Sequence, residues 1–157
     1  MIFKKKLFLA GLAVILFLGA VGYRLYAHCQ IPCGIYDDPA RFVLLKEHVT
    51  TMEKSMKQIT ELSNEEHSNW NQVVRWVNNK EDHADEFTHL VTYYFMAQRI
   101  KPVDPAKEAD HARYVARITM LHEMVFFAMK AKQSTDLGHI ARLRSLIDGF
   151  EASYFAK

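Results

Sequence analysis

The stretch "DPARFVLLKEHVTTMEKSMKQI", residues 38–59, decides the fold class. Phe42, Leu45, Val49, Met52, Met56 and Ile59 recur at alternating steps of three and four, which lays one apolar stripe along a helix. Asp38 before Pro39 supplies the start, an acidic N-cap followed by a residue whose fixed φ suits the first turn. The same step repeats further along the chain. Ser63 and Glu66 have the spacing of a capping box, and a second stripe runs Trp70, Val73, Val77, Ala84, Phe87, Val91 and Tyr94, interrupted only by Lys80. "KPVDP" at 101–105 breaks that helix, and Asp104-Pro105 opens a third with the stripe Tyr114, Ile118, Leu121, Val125 and Ala128. After a break at "QST", 133–135, Ile140, Leu143, Ile147, Phe150 and Tyr154 carry the pattern to the end. Neither strand alternation nor an internal repeat competes with it. Short turns between four amphipathic helices predict an all-α fold, an up-down-up-down four-helix bundle over residues 39–157. Trp76, Tyr93, Phe95, Phe126 and Phe127 fall outside the stripes; they are either exposed aromatics around a wide core or an interface between copies of the chain.

Working towards the N-terminus, residues 1–27 read "MIFKKKLFLAGLAVILFLGAVGYRLYA". A lysine cluster, an apolar run from Leu7 to Gly22 and a small residue, Ala27, before His28 are the parts of a secretory signal peptide. The same run is close enough to membrane thickness for an uncleaved anchor to be the alternative. In both cases the lysines stay cytoplasmic and residues 28–157 are expected on the far side of the membrane, as a periplasmic, lumenal, extracellular or membrane-anchored domain. The chain as a whole has a net charge of +2, yet residues 28–157 hold 16 Lys and Arg against 18 Asp and Glu. With the basic residues scattered among acids, nothing predicts a nucleic-acid partner.

Between leader and bundle lies "HCQIPCGIYDD", residues 28–38, which contains the only two cysteines of the chain. In an exported protein two cysteines commonly pair. A Cys29–Cys33 disulfide would close a very small loop, where the entropic gain is least and strain is expected. The other reading is a metal hook. If the leader is cut after Ala27, His28 carries a free α-amine, and this amine, the backbone nitrogen of Cys29 and the Cys29 thiolate can chelate one ion through two five-membered rings. Cys33 reaches back across the Pro32 turn with a second thiolate, and the His28 imidazole is close enough in sequence to cap the set axially. Planar nitrogen–sulfur donation suits nickel(II) or copper(II), whereas zinc prefers a tetrahedron. Anionic amide and thiolate donors also stabilise a higher oxidation state, so such a hook suits one-electron chemistry.

The hook resembles the N-terminal motif of nickel superoxide dismutases, His-Cys-x-x-Pro-Cys-Gly-x-Tyr, at every fixed position: His28, Cys29, Pro32, Cys33, Gly34 and Tyr36. The resemblance extends through four helices of matching order, including "RWVNNKEDHADEFTHLV" and "QRIKP". It implies an oxidoreductase that converts two superoxide anions and two protons into dioxygen and hydrogen peroxide, with one nickel ion per subunit. By motif position it implies that His28 supplies amine and axial imidazole, that Cys29 supplies amide nitrogen and thiolate, and that Cys33 supplies the second thiolate. Pro32 would carry a cis peptide bond, and Tyr36 would stand at the mouth, ordering water and screening larger anions. It further implies a homohexamer of four-helix protomers and a leader-cleaving protease. Gln30 departs from an acidic residue common in the family, and one residue is inserted around Asp37-Asp38. The family's glutamate that orients the histidine imidazole falls by counting on Leu45, leaving Glu47 and His83 as stand-ins. The alternative function is a membrane-anchored helical metal-binding or sensing module with a Cys29–Cys33 disulfide and no catalysis.

Beyond the hook, His48, His67, His83, His89, His111, His122 and His139 are read as solvated or interface residues rather than a second metal site. Glu-x-x-His pairs do not recur on several helices as a di-iron bundle requires, and His122-Glu123 lacks the partner histidine of a zinc-protease motif. Arg99 and Lys101, at the end of the second helix, either draw in a small anion or are ordinary surface cations.

Overall fold

The computed structural model describes residues 38–64 and 69–156. The leader, the hook residues His28, Cys29, Cys33 and Tyr36, and Glu66 lie outside the described residues. Among those described are four helices and no strand: α1 (Asp38–Ser63), α2 (Trp70–His89, continued by a π-helical segment Leu90–Arg99), α3 (Glu108–Gln133) and α4 (Leu137–Phe155). The packing partners are α1 with α2, α2 with α3, α3 with α4, and α4 back with α1. Cross-links between helices give the directions. Asp38 at the start of α1 meets Arg99 beyond the end of α2, while Ser55 near the end of α1 accepts a hydrogen bond from Asn79 in the first half of α2 (2.8 Å). Lys46 pairs with Glu151, and Arg144 with Glu53, so α4 also runs against α1. Arg117 bonds Ser153 and Arg142 bonds Glu123 in the same reversed order between α3 and α4. The bundle is up-down-up-down.

The sequence stripes become its interior. Phe42, Leu45, Val49, Met52 and Met56 of α1 are fully buried, as are Ala84, Phe87 and Val91 of the second helix and Leu143, Ile147 and Phe150 of α4. On α3 the buried line is Leu121, Met124, Ala128 and Ala131, so Tyr114, Ile118 and Val125 flank the core instead of filling it. Trp70 stands 66% exposed at the first turn of α2 and does not join the core. Phe95, expected outside the stripes, is fully buried. The reason is the π-helical segment Leu90–Arg99: its wider winding, closed by Ile100 N–H donating to Phe95 O (2.9 Å), turns both Tyr94 and Phe95 inward.

Helix ends differ from the simplest sequence reading in two places. Asn69, not Ser63, caps α2, its side chain accepting from Gln72 N–H (3.3 Å), while the Ser63 hydroxyl donates back to Ile59 O inside α1 (2.6 Å). Asp104 caps a turn, accepting from Ala106 N–H (2.9 Å), and α3 proper starts at Glu108. Lys80, the polar interruption, has a structural role. Its Nζ donates to the backbone carbonyls of Lys132 (2.6 Å) and Ser134 (3.2 Å), closing the C-terminal end of α3 where carbonyls lack partners and a cation is favoured. Burial pushes its pKa down, and Glu81, 3.9 Å away, works against that shift.

No helix among the described residues is long and apolar enough to cross a membrane.

Candidate metal centre and the Asp38 anchor

Sequence places the hook at residues 28–38, so the described structure meets it at its last residue, Asp38. That carboxylate is held from three sides. Arg99 donates to Oδ1 through Nε (2.9 Å) and Nη2, Tyr94 donates its hydroxyl to the same oxygen, and Tyr154 donates to Oδ2 (2.8 Å). The donors come from the π-helical end of the second helix and from the last turn of α4, so the start of α1 is tied to two other helices at once. Arg41 and Arg99 also lie over the Tyr94 ring, at 4.9 and 5.4 Å from its centroid.

Electrostatics follow from this geometry. Burial alone would raise the Asp38 pKa, but the hydrogen bonds from Tyr94, Arg99 and Tyr154 outweigh it and hold the carboxyl below its ordinary 3.8. Tyr154 is pushed up to about 12, by burial first and then by its bond to the Asp38 anion. A carboxyl whose pKa is depressed by folding stabilises the fold above its unfolded pKa and loses that contribution as pH falls through the folded value. Asp38→Asn keeps the shape and removes the charge, and it is expected to cost about 2–3 kcal/mol at neutral pH, since the Arg99 cation then loses its partner. Urea titrations of both proteins down to acid unfolding should show the difference shrinking through the acid range; a difference constant with pH would refute the assignment.

Arg99 is therefore committed to Asp38 and is not a free attractor of anions. Lys101 is exposed and lines a cleft of about 480 Å³ that also borders Arg99, Lys107, Arg113, Arg117 and Tyr154. Asp104 and Asp110 line the same cleft, and Asp110 pairs with Arg113 (2.5 Å), leaving a net positive wall.

Leu45, on which the family glutamate falls by counting, is fully buried in the core and offers no polar group. Glu47 is exposed. His83 is brought to His48: the two Nδ1 atoms lie 2.9 Å apart, and Oε2 of Glu86 stands 3.4 Å from one and 3.7 Å from the other. Burial holds His48 below the ordinary imidazole pKa, with the Glu86 carboxylate only partly offsetting it. These two histidines are thus partners in the groove between α1 and α2 rather than independent solvated groups. Their 35-residue separation hid the contact; only the local His83-x-x-Glu86 spacing was readable. His89 stacks on Tyr93, with ring centroids 4.4 Å apart.

Comparison with known proteins adds the family. The chain matches the nickel-containing superoxide dismutase family over residues 24–157, a span that takes in the hook motif and the whole bundle. Neither curated proteins nor solved structures yield a significant match. With the motif complete and the match covering most of the chain, this protein belongs to the nickel-containing superoxide dismutases, oxidoreductases that act on superoxide with a nickel cofactor.

Proposed function

We propose that the nickel site of this enzyme is the N-terminal hook, with His28, Cys29 and Cys33 as ligands, one ion per subunit, and Tyr36 at its mouth. The observation that carries the reading is the unbroken motif inside the matched span. The donor set fits the ion: two thiolates, an amine and a peptide nitrogen favour a borderline metal that gains from planar coordination, and hard cations have no use for them. When bound, nickel supplies the one-electron couple through which one superoxide is oxidised to dioxygen and a second is reduced to hydrogen peroxide. The chain's own residues do the rest. Cys29 and Cys33 would hold the ion as thiolates, His28 would hold it through its amine and its imidazole, and Tyr36 would order water and keep larger anions out. The exposed Lys101 and the net positive cleft beside it favour the approach of a small anion. Asp38, the last residue of the hook and five residues past Cys33 in sequence, is itself fixed to the bundle by Arg99 and Tyr154.

The same proposal includes export and processing. Cleavage after Ala27 by a leader-cleaving protease frees the His28 amine, and residues 28–157 then work on the far side of the membrane. It also includes assembly into a homohexamer, supported by the apolar groups left on the surface of the single chain: Trp70, Val74, Tyr93 and Phe126 are all about half exposed or more.

The experiment uses the amine. With any residue before His28, its nitrogen becomes a neutral, planar peptide nitrogen and a poor donor. One extra alanine placed before His28 in the processed protein leaves every side chain and the bundle intact. It is expected to remove most of the activity in a superoxide-decay assay, and turnover at the level of the unextended chain would sink the free-amine site. Intact-mass measurement of the exported protein should give a chain starting at His28.

A further inference from the structure

Away from the hook, the groove between α1 and α2 gathers a second set of donor atoms. His48 projects from α1, and His83 and Glu86 from one turn of α2, so that two imidazole nitrogens and a carboxylate oxygen face one another. The three atoms form a triangle with edges of 2.9, 3.4 and 3.7 Å. A point equidistant from all three lies about 2.0 Å from each, the length of a zinc–nitrogen or zinc–carboxylate bond. Donor pairs around a tetrahedral ion stand roughly 3.3 Å apart, within the observed range. Without an ion, three lone-pair-bearing atoms converge on one point and at most one proton per imidazole can separate them. The His48 and His83 side chains are 12% and 27% exposed and Glu86 is 62% exposed, so the histidines form the floor and the carboxylate the solvent-facing rim. That rim gives an ion a way in, and leaves room for water in the remaining coordination positions.

We propose that His48, His83 and Glu86 form a second metal site, binding a divalent ion of the zinc–nickel class through the two imidazole Nδ1 atoms and the Glu86 carboxylate. Two imidazoles and one carboxylate are donors suited to zinc, nickel, copper or iron, and too few oxygens are present for calcium or magnesium. The site joins α1 to α2 and uses no atom of the hook. It does not depend on the hook being the catalytic centre.

The test uses the full chain, without an affinity tag, carrying Cys29→Ser and Cys33→Ser so that no thiolate competes. Cobalt(II) is added and its visible d–d absorption recorded, followed by displacement with zinc(II). One ion per chain is expected, with nitrogen and oxygen donors and no thiolate band. His48→Gln and His83→Gln, each added to that background, should weaken binding by more than the about 10–100-fold typical of losing an outer partner. Glu86→Gln should weaken it less, because water can take its rim position. Far-UV circular dichroism checks the fold, and Glu86→Gln, which alters a surface side chain, keeps the test valid if a histidine variant unfolds. Absence of a stoichiometric cobalt band in the thiol-free chain would overturn the proposal. So would binding that all three substitutions leave unchanged.

Discussion

Cys29→Ser and Cys33→Ser are each expected to abolish superoxide dismutation in the processed protein. A serine hydroxyl has nearly the shape of a thiol but does not ionise at neutral pH, so each substitution removes an anionic, polarisable donor and supplies none. In the proposed site, thiolate donation would bring the nickel couple within reach of superoxide. Losing it shifts the potential as well as the affinity, and the fall in activity should exceed the about 100-fold that disturbing an outer-shell partner can produce. Nickel content per chain and superoxide decay should be measured together, because a variant that retains nickel yet does not turn over isolates the effect on the couple. Tyr36→Phe, which keeps all ligands, should be far milder. Full activity in both serine variants would show that the hook is not the active site. Helical content should be unchanged in all three, since the described core contains none of these residues.

Phe42→Ala is expected to have the largest effect on stability, about 3–5 kcal/mol by urea unfolding. Phe42 is fully buried one turn after Asp38 and lies at the centre of an aromatic cluster. Its ring centroid is 4.9 Å from that of Phe95, 5.6 Å from Phe150, and 5.5 Å from both Tyr154 and Phe155. Truncation leaves a cavity lined by rings from the second helix and α4, and those rings are held in turn by edge contacts such as Phe95 on Phe150 (5.1 Å), so the site cannot collapse cheaply. Phe42→Leu fills most of the space and should cost only about 1–2 kcal/mol. A cost below that for the alanine variant would mean that this end of the bundle does not carry the fold. The cluster also backs Asp38 through Tyr154, so the loss is expected to reach the start of α1.

The sequence alone determined the helices and carries the motif on which the hook proposal rests, and the two share a physical reason: both are written in short-range spacing. A stripe such as Phe42, Leu45, Val49, Met52, Met56 and Ile59 needs only the period of one helix, and it became the inner face of α1, with only its last residue, Ile59, left partly exposed. The motif containing His28, Cys29 and Cys33 likewise depends only on neighbours along the chain, which is why it is legible in the sequence, and it lies inside the span matched by the family. Tertiary structure decided what joins distant segments. Asp38 meets Tyr94, Arg99 and Tyr154 across 56, 61 and 116 residues, and no local pattern marks those four as partners. The widened turn at Leu90–Arg99 moved Phe95 from the expected surface to the core, because a π-helical segment breaks the three-four register on which the stripe rests. Lys80 looked like a flaw in its stripe until the carbonyls of Lys132 and Ser134 were seen at its ammonium. His48 and His83 looked like unrelated surface groups, and only the antiparallel pairing of α1 with α2 set their nitrogens 2.9 Å apart.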